Sequence, residues 1–166
     1  MNQIIDLYLL AWAASVRVDH LQLKRVKVAQ SRYGELAGGA FGGTDEHEVT
    51  VLGSRCRVTP DTVYVTDARS QRETAVEQAK LKAVFAVIGA MDTETAELLR
   101  VHYTIPASVD DKASRAGVSG RTWNRWVRDA KVAFGAQFWL LTQGVRQRGV
   151  GMLIENDSKT LDSLTG

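Results

Sequence analysis

Apolar residues recur every three or four positions along most of the chain, a spacing that is typical of amphipathic helices. The pattern predicts one helix from Gln3 to about Ala14 and a second from Asp19, as its N-cap, to Tyr33. Five glycines between positions 34 and 43 then favour a loop, because so much backbone freedom ends a helix.

The pattern changes in the middle of the chain. β-Branched residues between Glu48 and Thr66 predict a small hairpin around Pro60-Asp61. Two strands alone are marginal in water, so they must pack against helices or stay mobile until a partner arrives. From Ala68 or Ser70 the helical spacing returns and predicts a long helix to about Ala90, with Gly89 as a natural stop.

Short links separate the helices of the second half. Three helices are predicted there: from Asp92 or Thr93 to Ile105, from Ser108 to Ala116, and from Gly120 to at least Leu141. The first ends before Pro106, because a residue that precedes proline is disfavoured in a helix. The tail from Gly144 shows no pattern that decides between folding back and a flexible end.

The last two of these helices have the spacing of a helix-turn-helix. Such a pair needs a small residue where the axes approach, a residue that tolerates left-handed geometry in the turn, and apolar side chains on the second helix. The predicted core of this motif is Ala113, Gly117, Val118, Trp123 and Trp126, and Ser119 is placed to cap the second helix.

The opposite face of the second helix is polar. Trp123, Trp126, Val127, Ala130 and Phe134 are expected to point inward, and the helical period then directs the following residues outward: Arg121, Thr122, Asn124, Arg125, Arg128 and Lys131. Arginine pairs with guanine and asparagine with adenine in the major groove of DNA. Arg128 and Lys131 are better placed for phosphates, so this face is predicted to bind double-stranded DNA.

Charge supports this prediction only when it is resolved along the chain. The 166 residues carry 21 basic and 19 acidic side chains, and a net charge of +2 alone argues against a nucleic-acid partner. Residues 104–148, however, contain 8 basic and 3 acidic side chains, a net charge of +5. The positive charge is concentrated at the predicted motif.

Cys56 is the sole cysteine, which excludes an intramolecular disulfide and a multi-cysteine zinc site and favours a reducing compartment. Its neighbours Arg55 and Arg57 suggest a lowered thiol pKa. The apolar stretch from Leu7 to Ala14 follows an acidic residue and is too short to span a bilayer. We therefore expect a soluble, cytoplasmic protein without a membrane partner.

Enzyme motifs are weak. The three histidines, His20, His47 and His102, are far apart in sequence, and His102 is expected to be a hydrogen-bonded core or boundary residue of a helix. The run from Asp45 to Glu48 is interpreted as a solvated acidic loop rather than a metal site. The glycines from 38 to 43 lack the Lys-Ser/Thr ending of a phosphate-binding loop. No catalytic residue, cofactor or metal is predicted.

Two segments resemble a known family. The run Leu98–Tyr103, followed by Ser108 and by Val118–Trp126, resembles region 4 of σ70-type factors and, more closely, the C-terminal half of the Q-type late antitermination proteins of lambdoid phages. The segment Leu9–Ser15 resembles the tryptophan-containing opening of those proteins. Some relatives contain a cysteine-rich zinc module, so the resemblance is to a zinc-free branch.

The resemblance implies a function. Such a protein binds DNA near a phage late promoter, is loaded onto paused bacterial RNA polymerase in the host cytoplasm, and allows terminators to be read through. Double-stranded DNA and RNA polymerase are the implied partners, with sigma factor and nascent RNA as further contacts. The DNA-facing role then falls on Ser119, Arg121, Thr122, Asn124, Arg125 and Arg128.

The resemblance also implies an all-helical or mainly helical fold. With the hairpin predicted from the β-branched residues, the predicted fold class is mainly α: a helical bundle that contains a σ region 4-like helix-turn-helix and a small β-hairpin insertion. Residues 1–90 would form a helical body with the glycine-rich loop and the hairpin, which faces the polymerase or its RNA exit channel. Residues 91–142 would form the DNA-binding part and 143–166 a tail. Two alternatives use the same helices: a dimeric repressor or activator, and a small terminase subunit. The sequence leaves the oligomeric state and the DNA target open.

Overall fold

The computed structural model describes the backbone of residues 2–32 and 46–161, and the side chains of residues 3–21 and 46–143. Within these residues the protein is mainly helical and contains one four-stranded antiparallel sheet. The predicted glycine-rich loop at 34–43 and the end of the tail at 162–166 lie outside the described residues.

The first helix, α1, runs from Asn2 to Arg32 without interruption, so the predicted division into two helices with an N-cap at Asp19 is wrong. No glycine or proline separates Ala14 from Asp19, and Val18 continues the buried face. That face lies at the centre of the core. Its buried apolar residues are Ile5, Leu9, Ala11, Trp12, Ala13, Ala14 and Val18.

Four strands follow α1, in the order β1 (His47–Val51), β2 (Ser54–Val58), β3 (Thr62–Thr66) and β4 (Glu73–Glu77). Each is antiparallel to the next. Alternate residues of the sheet face α1 and are buried: Val51, Cys56, Val58, Val63, Val65 and Val76. The predicted hairpin is therefore part of a larger sheet.

The predicted helix from Ala68 or Ser70 is also wrong at its start, because β4 occupies 73–77 and α2 (Gln78–Ala90) begins only after it. The apolar spacing of this segment includes Val76, which the structure places opposite Val63 of β3, facing the core. Pairing with β3 outweighs the local helical preference of the segment.

The next two helices match their predicted bounds closely. Helix α3 (Thr93–Thr104) begins at Asp92, whose carboxylate accepts the backbone N–H of Thr95 at 2.8 Å, and it ends at Ile105 before the proline. Helix α4 (Val109–Arg115) begins at Ser108, whose hydroxyl accepts the backbone N–H of Asp111 at 3.0 Å. Both predicted caps are confirmed.

The link from α4 to α5 (Gly120–Leu161) depends on Gly117, which has a φ of +70°. Its N–H donates to the carbonyl of Ser114, and the N–H of Val118 donates to the carbonyl of Ala113. This pair of bonds closes a helix with a left-handed residue, the conformation that glycine adopts at least cost. Ser119 then accepts the N–H of Thr122 at 3.2 Å and caps α5, as predicted.

Arg17 connects three elements. Its guanidinium donates to the carbonyls of Tyr103 and Thr104 at the end of α3, both at 2.9 Å, and to the carbonyl of Thr50 in β1. Those carbonyls at the end of α3 have no partner within their own helix. The bonds therefore satisfy the helix end and join α1, α3 and the sheet.

Candidate nucleic-acid interface

The first turns of α5 present a polar face. Arg121, Asn124, Arg125 and Arg128 are exposed, and with Thr122 they line one polar cleft on the surface. Their spacing of three and four residues places them on one side of the helix. Within the described residues, the side chains of Arg121, Asn124 and Arg125 form no hydrogen bond or ion pair, so their donors are free to meet a ligand.

The other members of the predicted face are already engaged in part. Arg128 lies 3.4 Å from the carboxylate of Asp129, but both side chains are largely exposed and such a pair is weak. The hydroxyls of Ser119 and Thr122 share a hydrogen bond at 3.0 Å while Ser119 caps the helix. Both hydroxyls lie at the exposed N-terminal end of α5, next to Arg121.

The opposite face of α5 is buried as predicted. Trp123, Val127, Ala130 and Phe134 are almost fully buried. Trp123 and Val127 form a small cluster with Ala113 of α4, and Val118 packs against this cluster from the turn. These contacts hold the N-terminal part of α5 against α3 and α4, so the polar face has one orientation.

A buried polar cluster fixes the same region. The indole N–H of Trp123 donates to Nδ1 of His102 at 3.2 Å, and the ammonium of Lys112 donates to the carbonyl of His102 at 2.7 Å. Burial, together with the charges of Lys112 and Lys131, lowers the pKa of His102 to about 4. The imidazole is therefore neutral near pH 7, and the expected hydrogen-bonded histidine is confirmed.

One predicted position is wrong, and a second has a partner that the sequence did not predict. Trp126 was expected in the helix-turn-helix core but is 40% exposed, because three residues beyond Trp123 it lies at the edge of the buried face. Lys131 was expected to contact phosphate, but its ammonium pairs with the carboxylate of Asp6 at 2.6 Å and the side chain is only 26% exposed. The same carboxylate accepts the hydroxyl of Tyr103 at 2.7 Å.

These contacts reduce the charge available on the predicted interface. The side chain of Lys112 is buried, and that of Lys131 is bound to α1, so two of the eight basic groups in residues 104–148 do not belong to the exposed face. The remaining arginines at 121, 125 and 128 carry its positive charge.

Sequence reasoning missed a groove beside this face. A cavity of about 820 Å³ lies between α3, α4 and α5, and its apolar lining includes Leu98, Val101, Ile105, Trp123, Trp126 and Ala133. Acidic residues also line it: Glu94, Glu97 and Asp129. The groove shares no residue with the polar cleft. Its only signal in the sequence was Trp126, an apolar residue at the edge of the buried face of α5.

Cys56 lies in the core rather than in an exposed basic environment. It is fully buried, its Sγ lies 3.8 Å from the carbonyl of Ser54, and burial raises its pKa to about 11. The lowered pKa expected from Arg55 and Arg57 is wrong, because strand alternation turns both arginines to the opposite face of the sheet.

No three His, Cys, Asp or Glu side chains in the described part of the chain lie together as a metal site would require. No helix among the described residues is long and apolar enough to cross a membrane. Comparisons of the chain with protein-family models, curated proteins and solved structures give no match.

Proposed function

We propose that this protein is a transcription regulator that binds double-stranded DNA through a helix-turn-helix formed by α4 and α5. The observation that carries the proposal is the polar face of α5: Arg121, Asn124 and Arg125 are exposed, unpaired within the described residues, and on one side of a helix whose other side is buried. An exposed helix of this composition fits the major groove.

The face supports reading of bases and of backbone. In the proposal, Arg121 and Arg125 pair with guanine and Asn124 with adenine, because these side chains match the donors and acceptors of those bases. Arg128, one turn further along, contacts phosphate, as do the hydroxyls of Ser119 and Thr122 at the helix start. Phosphate contacts position the helix, and base contacts select the site.

The rigid placement of α5 favours sequence-specific DNA binding over non-specific electrostatic attraction. Trp123 forms a hydrogen bond with His102 of α3, and Lys131 forms an ion pair with Asp6 of α1. Helix α5 is therefore held at two points along its length. A recognition helix must hold its side chains in a fixed register to distinguish bases. The two anchors supply that register.

We further infer that the regulator acts in antitermination, on the resemblance of Leu98–Tyr103 and Val118–Trp126 to the Q-type phage proteins. The proposal assigns the contact with RNA polymerase to the apolar groove between α3, α4 and α5. An exposed apolar groove with acidic residues at its edge is a place where a protein partner can bind. Because the groove shares no residue with the polar cleft, DNA and polymerase can be held together.

In-vitro transcription tests this function. Purified bacterial RNA polymerase transcribes a phage late-promoter template with a pause and an intrinsic terminator, with and without the protein. We expect read-through that requires the upstream DNA and is lost in the R121A/R125A double variant. The control variant K80A/K82A removes the same charge from exposed positions of α2 and should retain read-through.

Other outcomes would assign a different role. Unchanged termination with altered initiation would overturn antitermination in favour of a repressor or activator. DNA binding without any effect on transcription would instead favour a DNA-packaging role such as that of a small terminase subunit.

A further inference from the structure

A second group of arginines lies at one end of the sheet. Two turns meet there: the Leu52–Gly53 turn between β1 and β2, and the longer turn from Asp67 to Arg72 between β3 and β4. A Cβ atom placed on Gly53 would lie 4.0 Å from the Cβ of Ala68, so the turns are in contact. Arg69 and Arg72 are exposed on the longer turn.

Arg55 extends this group onto the outer face of the sheet. It is exposed in β2 and lies opposite Thr66, the last residue of β3 before the turn. We call Arg55, Arg69 and Arg72 the sheet-end arginines. Within the described residues, the side chains of all three form no hydrogen bond and no ion pair.

Among the described residues, no acidic side chain forms an ion pair with the sheet-end arginines. The carboxylate of Asp67 accepts the backbone N–H groups of Ser70 and Arg69 at 2.8 and 2.7 Å, which holds the turn. These bonds lower the pKa of Asp67, so it stays charged and attracts Arg69 without forming an ion pair with its guanidinium. Glu73 pairs with Arg57 at 3.5 Å, and Arg57 also pairs with Glu46 at 3.0 Å. The sheet end therefore presents three guanidinium groups that no acidic side chain neutralises by direct contact.

A continuous path of contacts joins the sheet end to α5. Trp123 is bonded to His102, and the next residue, Tyr103, offers its carbonyl to Arg17. Arg17 also donates to the carbonyl of Thr50, which lies opposite Arg55 in the sheet. The two basic surfaces are thus connected through hydrogen-bonded groups of the folded protein rather than by a flexible linker.

We propose that the sheet-end arginines bind the phosphate backbone of the DNA duplex that flanks the site contacted by α5. This inference rests on the proposed function, and it adds a second contact to it. Guanidinium groups on a turn match phosphate oxygens and carry no base selection of their own. The duplex would then be held at two places, with sequence read at only one.

Single-stranded RNA fits this surface less well. Proteins that bind single strands usually stack bases on exposed aromatic rings. The aromatic residue on the outer face of the strands is Tyr64, and the guanidinium of Arg57 covers its ring at 4.1 Å from the centroid. The sheet end offers positive charge but no free aromatic ring for base stacking. Such a surface suits the phosphate backbone of a duplex better than a single strand.

Salt dependence of binding tests the inference. The probe is a duplex carrying a site that the full-length protein selects from random sequence, either limited to that site or extended by about 10 bp, one helical turn, on each side. We expect R69A/R72A to make the negative slope of log K against log salt less steep by about 1.8 on the extended duplex, since each phosphate contact contributes about 0.9 to its magnitude. Between about 50 and 200 mM salt, the wild type then loses about tenfold more affinity than the variant.

Controls separate this inference from the proposed function. On the limited duplex, R69A/R72A should bind like the wild type, and K80A/K82A should leave the slope unchanged on both duplexes. If R69A/R72A matches the wild type on the extended duplex while R121A/R125A loses specificity, the sheet-end contact is wrong and the proposed function stands. If R121A/R125A keeps its specificity, the proposed function fails as well.

A third arm compares a single-stranded RNA of the same length. Loss of RNA binding in R69A/R72A, with duplex binding intact, would overturn the inference and assign the sheet end to RNA.

Discussion

The indole N–H of Trp123 donates to Nδ1 of His102 across 3.2 Å, and this bond requires the imidazole to be unprotonated at that nitrogen. Lys112 and Lys131 add positive charge around the ring, and burial lowers the pKa of His102 from 6.5 to about 4. The contact that holds the start of α5 against α3 is therefore sensitive to acid.

Acidification should destabilise the fold through His102. The unfolded chain takes up this proton near pH 6.5, and the folded chain takes it up only near pH 4. The contribution of His102 to the free energy of unfolding is therefore fully present above pH 6.5 and is lost as the pH falls toward 4. At pH 5 the loss from this group is about 2 kcal/mol. Urea unfolding at pH 7 and pH 5 measures it.

His102→Gln is the matched variant for that measurement. Its side-chain oxygen can still accept from the indole, but the group does not titrate. We expect the variant to lose less stability than the wild type between pH 7 and pH 5. Equal losses in both proteins would place the acid sensitivity in another group.

Arg121 and Arg125 should contribute to DNA specificity without contributing to stability. Both are exposed and unpaired within the described residues, so alanine at either position should leave the unfolding temperature unchanged. Each substitution should weaken binding to the selected site by about 1 to 3 kcal/mol and relax the preference for one base. Fluorescence anisotropy with site variants measures both effects; a uniform loss on every sequence would mean that the arginine contacts only phosphate.

Lys131 and Arg128 are predicted to behave in opposite ways although they lie three residues apart on α5. Arg128→Ala should make the negative slope of log K against log salt less steep by about 0.9 and should leave stability unchanged. Lys131→Ala should leave the slope unchanged, because its ammonium is bound to Asp6, and should lower stability by about 1 kcal/mol. Binding at several salt concentrations and thermal unfolding distinguish the two variants.

Local signals explain which parts of the fold are predictable from sequence. The caps at Asp92 and Ser108 and the turn at Gly117 depend on residues within one helical turn of each other, and all three are confirmed. Strand β4 depends on pairing with β3 across a turn, and its alanine also suits a helix. The spacing of apolar residues alone therefore favoured the wrong element there.

The same distinction applies to the candidate site. Helical periodicity identified the exposed arginines correctly, since exposure on one helix follows from its own sequence. It missed the fate of Lys131, because Asp6 belongs to α1 and no local pattern reveals that contact. It also placed Trp126 in the core, although α3 and α4 leave a groove at that edge of α5.

Trp126 should affect transcription without affecting DNA binding. The side chain is 40% exposed and lines the groove, so Trp126→Ala should lower stability by about 1 kcal/mol or less and keep the affinity for DNA. Terminator read-through should be lost if polymerase occupies the groove. Trp139→Ala is the control, because that tryptophan is 38% exposed on the same helix but lies outside the groove.

Gly117 should tolerate substitution less well than Gly89, for a backbone reason alone. A Cβ atom at either position meets nothing within 4 Å, so neither change creates a clash. Gly117, however, has a φ of +70°, which alanine adopts only with strain, and Gly117→Ala should destabilise the protein by about 1 kcal/mol. Gly89 lies within α2, where alanine is the better helix former, and Gly89→Ala should stabilise by about 0.5 to 1 kcal/mol.

Chemical denaturation of the two variants measures this contrast directly. Because the strain at Gly117 lies in the turn between α4 and α5, its substitution should also reduce DNA affinity by shifting the orientation of α5, whereas Gly89→Ala should not. A Gly117→Asn variant restores part of the loss, since asparagine tolerates the left-handed region better than alanine. Equal stability of the alanine and asparagine variants would contradict a left-handed residue at this turn.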